Sequence, residues 1–578
     1  MRILGVDVGG TFTDAVLIED GGLRTAKVPT AERQEESVLA AVRALGANDV
    51  DRFTHGTTVA TNTLLERKGA KTAFLATEGF EHLLHLRRQN RAHLYRLCAQ
   101  HADPLVPLER CFGVRERIGP HGVLEPLDVE RIPELDADAV AICLLFSFRD
   151  ASHERAVADE VRRRLPGAHV VASHEVAPEF REYERASTTA ADAYLGPSLA
   201  RYLRALSSRC RTEGIPEPLI MRSSGGVATV DEAAAHASWA LLSGPAGGVV
   251  GAARIAAAAG FPDAISLDMG GTSTDVCLIL DGQVEHSTER SIAGLPIRLP
   301  SVDVHTVGAG GGSIAWRDEG GALQVGPSSA GAVPGPACYG RGGTQPTVTD
   351  ANLLLGRLPT RLAGGLELDA DPAARAMGDV DPADVVQAVN AEMLGALRLV
   401  SVERGVDPAD LALVAFGGAG PLHACALAEE LGIATVLVPE AAGMLSAMGL
   451  AVSDERRDYV RSEVRPLADV RDLPADGEAD LRYVGQSHEL TVRLGADLAE
   501  GFHAAHEERY GYADRDRGIE LVAVRTAEMR PGPTLVLPEG PPETAAGPAI
   551  VELDGATCWL PPGWVGVRDG RGWRLRRE

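Results

Sequence analysis

Apolar residues come in short bursts, separated by polar, glycine-rich turns. Ile3 to Val8 is apolar apart from Gly5 and Asp7, Ala15 to Ile18 follows a Gly-Gly turn, and Leu23 to Val28 makes a third run. Runs of this length joined by tight turns predict a three-stranded meander. The pattern returns in Ala264 to Met269, Val276 to Leu280 and Val284 to Thr288. Ala139 to Phe146 reads as a buried strand. Leu411 to Phe416 reads as a strand that turns through glycines into a helix over Leu422 to Leu431. Val249 to Ala259 is an alanine-rich helix, and Val385, Val389, Met393, Ala396 and Val400 recur at the spacing of a helix's core face. Strands alternating with helices predict an α/β protein.

The two meanders share more than their pattern. Asp7-Val-Gly-Gly-Thr-Phe-Thr-Asp14 returns 261 positions later as Asp268-Met-Gly-Gly-Thr-Ser-Thr-Asp275, with six of eight residues identical. The turn Asp20-Gly21 meets Asp281-Gly282 at the same offset. Glycines let a backbone approach phosphate closely, and free N–H groups and Thr hydroxyls donate to its oxygens. Gly9, Gly10, Thr11, Thr13, Gly270, Gly271, Thr272 and Thr274 are therefore the candidate phosphate ligands. Asp7 and Asp268 stand at strand ends, where each can hold Mg²⁺ through water. Asp14 and Asp275 are candidates to fix the hairpins or orient an attacking group. Two such hairpins facing one another would clamp the β- and γ-phosphates of ATP.

Other glycine-rich segments add candidate contacts. Ala415-Phe-Gly-Gly-Ala-Gly-Pro-Leu-His423 has the strand–turn–helix form that packs on a nucleotide. Gly417, Gly418 and Gly420 are expected to line the adenosine. Ser243-Gly-Pro-Ala-Gly-Gly248 suits either N–H donation to a ligand or close helix packing. His55-Gly-Thr-Thr-Val-Ala-Thr-Asn62 offers His55, Thr57, Thr58 and Asn62 either to a polar substrate or as a capping cluster. Asp303 and His305 sit two apart before the run Gly308-Ala-Gly-Gly-Gly312. They suit substrate or metal contact, or a structural ion pair. Asp350 reads as a helix cap.

Bulk properties narrow the class. The formal charge of −25 over 578 residues excludes nucleic acid as an expected partner. The eight cysteines include no Cys-x-x-Cys pair, which fits a reducing compartment. No apolar run approaches the roughly 20 residues of a membrane span, and Asp7 interrupts any signal-like start. A cytoplasmic protein without membrane contact is expected.

The motifs, taken in order, resemble the A-type subunit of the hydantoinase/oxoprolinase family. Besides the segments above they include Glu66-Arg-Lys-Gly-Ala70, Glu182-Tyr-Glu-Arg185, Ser187-Thr-Thr189, Ser223-Ser-Gly-Gly226, Pro334-Gly-Pro-Ala-Cys-Tyr-Gly340, Thr347-Val-Thr-Asp-Ala-Asn352 and Ser401-Val-Glu-Arg-Gly405. The resemblance implies two RNase-H-like lobes of the actin/hexokinase-like (ASKHA) type, with ATP between them and a C-terminal β-rich domain. The implied boundaries are 1–185, 186–455 and 456–578. It also implies ATP with Mg²⁺ or Mn²⁺, and ATP-dependent opening of a cyclic amide such as an N-methylhydantoin or 5-oxoproline. Relatives of this type work with a B-type subunit, in homo- or hetero-oligomers, and no B-type region is present in this sequence. The family also includes ATP-using carboxylases of acetone and acetophenone, and a nucleotide-binding regulatory subunit is a third reading. The stretch from Arg530 to Gly547 is shorter than in the family pattern.

Overall fold

The structure, a computed structural model, describes residues 1–19, 22–362, 365–535 and 542–578. Each octapeptide lies at the first turn of a sheet, and the two sheets share one strand plan. In the first, β1 (Arg2–Val8), β2 (Phe12–Glu19) and β3 (Gly22–Pro29) form an antiparallel meander. β4 (Arg52–Gly56) runs parallel beside β1, β5 (Leu219–Met221) parallel beside β4, and β6 (Val227–Ala228) closes that edge. In the second, β7 (Ala264–Met269), β8 (Thr274–Leu280) and β9 (Gln283–Val284) repeat the meander. β10 (His305–Val307) also pairs with β8, while β11 (Ala412–Phe416) and β12 (Thr435–Pro439) extend the sheet in parallel from β7.

Three expectations change here. The third strand of the second copy is short. After Glu285 the chain folds back on itself, pairing His286–Ser287 with Ser301–Val302, and β10 takes the place along Thr274 to Val276. The first sheet does not end at residue 185, because β5 and β6 belong to it. The stretch 456–578 divides. Glu455–Pro466, Glu478–Tyr483, Leu490–Arg493 and Ile519–Arg530 form their own sheet, while Gly572–Arg577 pairs with β12 and carries Trp564–Arg568 and Glu543–Ala546 onto the second sheet. The Asp20-Gly21 turn and residues 536–541 lie outside the described residues. The counterpart Asp281-Gly282 turns with φ of 51° and 70°, the hairpin type that matches strand twist.

A parallel four-stranded sheet (Thr72–Thr77, Cys111–Val114, Ala139–Cys143, His169–Ala172) is inserted into the first unit and packs on helix α1 (Glu182–Glu213). Helix α2 (Ser243–Ala258) starts earlier than its alanine-rich part. Its first turn absorbs Pro245, whose missing N–H has no helical partner there anyway. Helix α3 (Pro382–Val400) buries Val385, Val389, Met393, Ala396 and Val400 as its spacing requires. Among the described residues it marks the one stretch long and apolar enough to cross a bilayer, and that apolar face is spent in the core of the second sheet. α4 (Gly420–Leu431) follows β11, and α5 (Leu445–Val452) follows β12.

The two units meet through α2 and α5. α2 follows the first sheet yet lies on β7 and β11, and α5 follows the second sheet yet lies on β1, β2 and β4. Their crossing is backbone on backbone. A Cβ at Gly449 would stand 1.9 Å from the Gly247 carbonyl, and one at Gly251 would stand 2.8 Å from that of Leu445. A Cβ at Gly5 on β1 would stand 2.0 Å from the Ala447 carbonyl. Glycine is required at these positions because any side chain would force the helices apart.

Candidate active site

The strand plan brings four carboxyls to one cleft. Antiparallel pairing sets Asp7 opposite Asp14, and Asp268 opposite Asp275. The parallel neighbours place Gly56 beside Asp7 and Phe416-Gly417 beside Asp268. Neither glycine tolerates a side chain. A Cβ on Gly56 would lie 2.6 Å from Asp7 Oδ1, and one on Gly417, at φ 76°, 2.3 Å from Asp268 Oδ1. Gly244, in the first turn of α2, also faces the Asp7 carboxylate. Each aspartate is thus packed against bare backbone. Asp7 Oδ1 is buried and has no protein partner.

The electrostatics show one shared site. Desolvation pushes Asp7 up to about 7, with Asp14 adding to the rise and Lys27 opposing it. Desolvation pushes Asp268 up to about 8, and Asp275, Asp7 and Asp14 all add to the rise. The aspartates of the two repeats therefore feel one another. Clustered carboxyls with an orphaned buried oxygen fit a hard divalent cation. Among the described residues no three acidic, imidazole or thiol groups converge closely enough to chelate an ion directly. The fit is for a cation held through its own water.

The hairpin tips are open. Gly9 N–H donates to the Phe12 carbonyl at 2.9 Å and Gly270 N–H to that of Ser273 at 3.0 Å, which fixes two tight loops. Gly10, Thr11, Gly271 and Thr272 are exposed at the tips. Thr13 and Thr274 are corrections. Both point into the protein, Thr13 sharing a 3.1 Å hydrogen bond with Thr30 and Thr274 donating to the Ala309 carbonyl at 2.5 Å. Their hydroxyls are spent inside and do not face the cleft. The run after Asp303 backs the second loop. Gly311 and Gly312 N–H groups donate to the Gly270 and Gly271 carbonyls at 3.0 and 2.7 Å, and a Cβ on Gly310 would collide with Thr272 N at 2.5 Å. Gly418 is exposed in the turn before α4. Gly420 is buried against Leu267 and packs helix on strand, so it does not line an open surface.

The His55 segment also changes its meaning. His55 is fully buried, with Nδ1 3.1 Å from the Val6 carbonyl and Nε2 2.8 Å from the Tyr202 hydroxyl of α1. Burial lowers it to about 4, so it is a neutral core residue rather than a substrate contact. Thr57 is buried too, and its N–H and carbonyl both bond the Ser243 hydroxyl at the start of α2. Thr58 and Asn62 stay partly open, Thr58 accepting from Gln34 at 3.4 Å. Replacing His55 by Ala is expected to cost about 2–4 kcal/mol of stability while leaving the KM for ATP within about twofold. Urea denaturation and steady-state kinetics check the two halves. Asp303 forms an ion pair with Arg404 at 2.6 Å, the structural alternative, and His305 lies on the short strand β10. Among the described residues neither belongs to a group of three or more metal-binding side chains.

Lys27 is the residue that motif reading passed over. Its Nζ is 2.5 Å from Asp14 Oδ1, and it lies over the Phe12 ring at 5.4 Å. Counting register along the meander pairs Lys27 with Asp14, and that was the available signal.

Comparison with known proteins agrees with this layout. Residues 3–165 match the hydantoinase/oxoprolinase N-terminal region, and residues 185–459 match hydantoinase/oxoprolinase. The caprolactamase subunit alpha of Pseudomonas jessenii is 35% identical over 93% of this chain and 88% of its own. The acetophenone carboxylase gamma subunit of Aromatoleum aromaticum is 34% identical over 79% of this chain and 69% of its own. The crystal structure of ATP-dependent caprolactamase from Pseudomonas jessenii is similar with a TM-score of 0.88 at 31% identity, covering 99% of each chain. With its duplicated aspartate hairpins and matches along nearly its whole length, this chain belongs to the hydantoinase/oxoprolinase family.

Proposed function

We propose that this chain is the ATP-binding subunit of a cyclic-amide hydrolase, built as two RNase-H-like lobes of the ASKHA type around one nucleotide. The observation that carries the reading is the pair of carboxylates, Asp7 and Asp268, packed on bare backbone beneath two open glycine hairpins. The shared strand plan of the two sheets supports the lobe assignment. Asp7 and Asp268 would hold Mg²⁺ or Mn²⁺ through water, and the cation would neutralise phosphate charge. Backbone N–H groups at Gly10, Thr11, Gly271 and Thr272 suit the β- and γ-phosphates, and Gly417 and Gly418 suit the adenosine. The substrate's amide oxygen then takes the terminal phosphoryl group, and ADP leaves with the electrons of the broken bond. Water adds to the activated carbon, the ring C–N bond opens as its nitrogen takes up a proton, and a second water releases phosphate from the acyl phosphate that this leaves.

The named relatives are subunits of larger enzymes, which supports a B-type partner that completes ring opening. All eight cysteines are free thiols, which suits a cytoplasmic enzyme. A second reading, activation of a ketone for carboxylation, is favoured by similarity to the acetophenone carboxylase gamma subunit. ADP release is measured with caprolactam, 5-oxoproline, hydantoins, and acetophenone plus bicarbonate, with and without a co-expressed B-type subunit. Stimulation by a lactam or hydantoin is the expected result. Stimulation by ketone plus bicarbonate alone selects the second reading, and ATP binding without turnover in every arm overturns both.

A further inference from the structure

The two sides of the cleft carry the same carboxyls but not the same cations. On each side a third strand lies beside the second aspartate of the hairpin. On the second side the neighbour is Thr306, which donates its hydroxyl to Asp275 Oδ1 at 2.5 Å. On the first side it is Lys27, whose Nζ donates to Asp14 Oδ1 at 2.5 Å. A hydroxyl satisfies a carboxylate without changing the charge of the cleft, whereas an ammonium adds a full positive charge. On the second side Arg290 is tied to the Val304 carbonyl. Lys27 keeps a quarter of its side chain exposed, and Asp14 is its one hydrogen-bond partner among the described residues. The ammonium lies over the ring of Phe12, the residue that follows the Gly9–Thr11 loop, at 5.4 Å from its centre.

We propose that Lys27 holds the terminal phosphoryl group of ATP at the first hairpin. The proposal rests on the ATP reading above and adds the residue that reads the nucleotide's last phosphate. As the bond from phosphorus to ADP breaks and the bond to the amide oxygen forms, charge grows on the bridging and equatorial oxygens. A fixed ammonium stabilises that charge more than it stabilises the ground state. The electron pair stays with ADP, and Lys27 neither gives nor takes a proton. Asp14 is a positioning residue that keeps the ammonium beside the loop.

The test uses the full chain with Lys27→Met and Lys27→Arg. It measures dissociation constants for ATP and ADP, ATP turnover and melting temperature. Lys27→Met is expected to weaken ATP about tenfold or more while ADP stays within about threefold, and to lower kcat about a hundredfold or more. Lys27→Arg should restore the preference for ATP over ADP and recover kcat to within about tenfold. Equal loss of both nucleotides, or parental turnover in Lys27→Met, overturns the assignment. If Lys27→Met does not fold, Lys27→Gln removes the charge while keeping a donor for Asp14, and the same outcomes apply. The ATP-against-ADP comparison needs no amide substrate. A parent chain that binds neither nucleotide defeats the ATP reading itself, whereas a parent that binds ATP beside an unaffected Lys27→Met defeats only the role of Lys27.

Discussion

Replacing Asp7 by Asn is expected to lower ATP turnover about a thousandfold or more and to leave the fold intact. The carboxylate stands where β1 ends, with Gly56 and Gly244 pressed against it and one oxygen buried without a partner. No hydrogen bond among the described residues depends on its charge. Asn keeps the shape and removes the group that would hold the cation's water. The apo variant should therefore melt no lower than the parent, while ADP release in saturating ATP and Mg²⁺ almost vanishes. Asp268→Asn is expected to behave alike, because its carboxylate rests on Gly417 in the same way. Turnover within threefold of the parent for either variant would remove both aspartates from the mechanism.

The second large effect is on stability against pH. In the metal-free chain Asp7 is held at about 7 and Asp268 at about 8, against about 4 for an aspartate in an unfolded chain. Between those values the folded chain binds protons that the unfolded chain has lost, so stability falls as pH rises. Below about pH 4 both states are protonated and the penalty is absent. The buried histidines act in the other direction. His55 lies at about 4 and His423 at about 3, so stability drops as pH falls below 6.5. Between about pH 6.5 and 8 the histidines no longer contribute, and the fall belongs to the raised carboxyls, Asp7 and Asp268 foremost, with Asp14 and Asp275 shifted in the same direction by their burial. Across that window an Asp7→Asn/Asp268→Asn double variant is expected to gain on the parent, by about 3 °C or more at the upper end. Scanning fluorimetry at several pH values checks this, and a margin constant from pH 5 to 8 would place the carboxyls in solvent. Millimolar Mg²⁺ should raise the parent alone, because a cation offsets the same buried charge.

The hairpins were legible in the sequence because their chemistry is local. A turn that needs Gly-Gly and a carboxylate at its root shows both within eight residues. Which hydroxyls face outward is not local. Both faces of the first sheet are packed into a core, so period-2 alternation cannot separate Thr11, at the open tip, from Thr13, which is buried against Thr30. His55 reads as a ligand until Tyr202 arrives from α1, 147 residues away. Asp303 likewise waits for Arg404. β5 and β6 are three and two residues long, too short to carry a periodic signal, and this hid the true extent of the first sheet. The Gly572–Arg577 strand pairs with β12, and such long-range pairing leaves no trace in the local pattern of either partner. Lys27 is one ordinary lysine in a strand. It gains meaning only when the two repeats are laid side by side and Thr306 is found in its place.

The crossing of α2 and α5 sets how the cleft can breathe. Backbone lies on backbone at Gly247, Gly251 and Gly449, with the Leu445 and Leu450 side chains packed alongside. Pulling the halves apart would break a close-packed seam along its whole length, whereas turning one helix over the other leaves the seam in touch. The molecule is thus built like a pair of shears with this crossing as its rivet. Because α5 also bears on Gly5 of the strand that carries Asp7, any swing about that rivet is passed on to the aspartate.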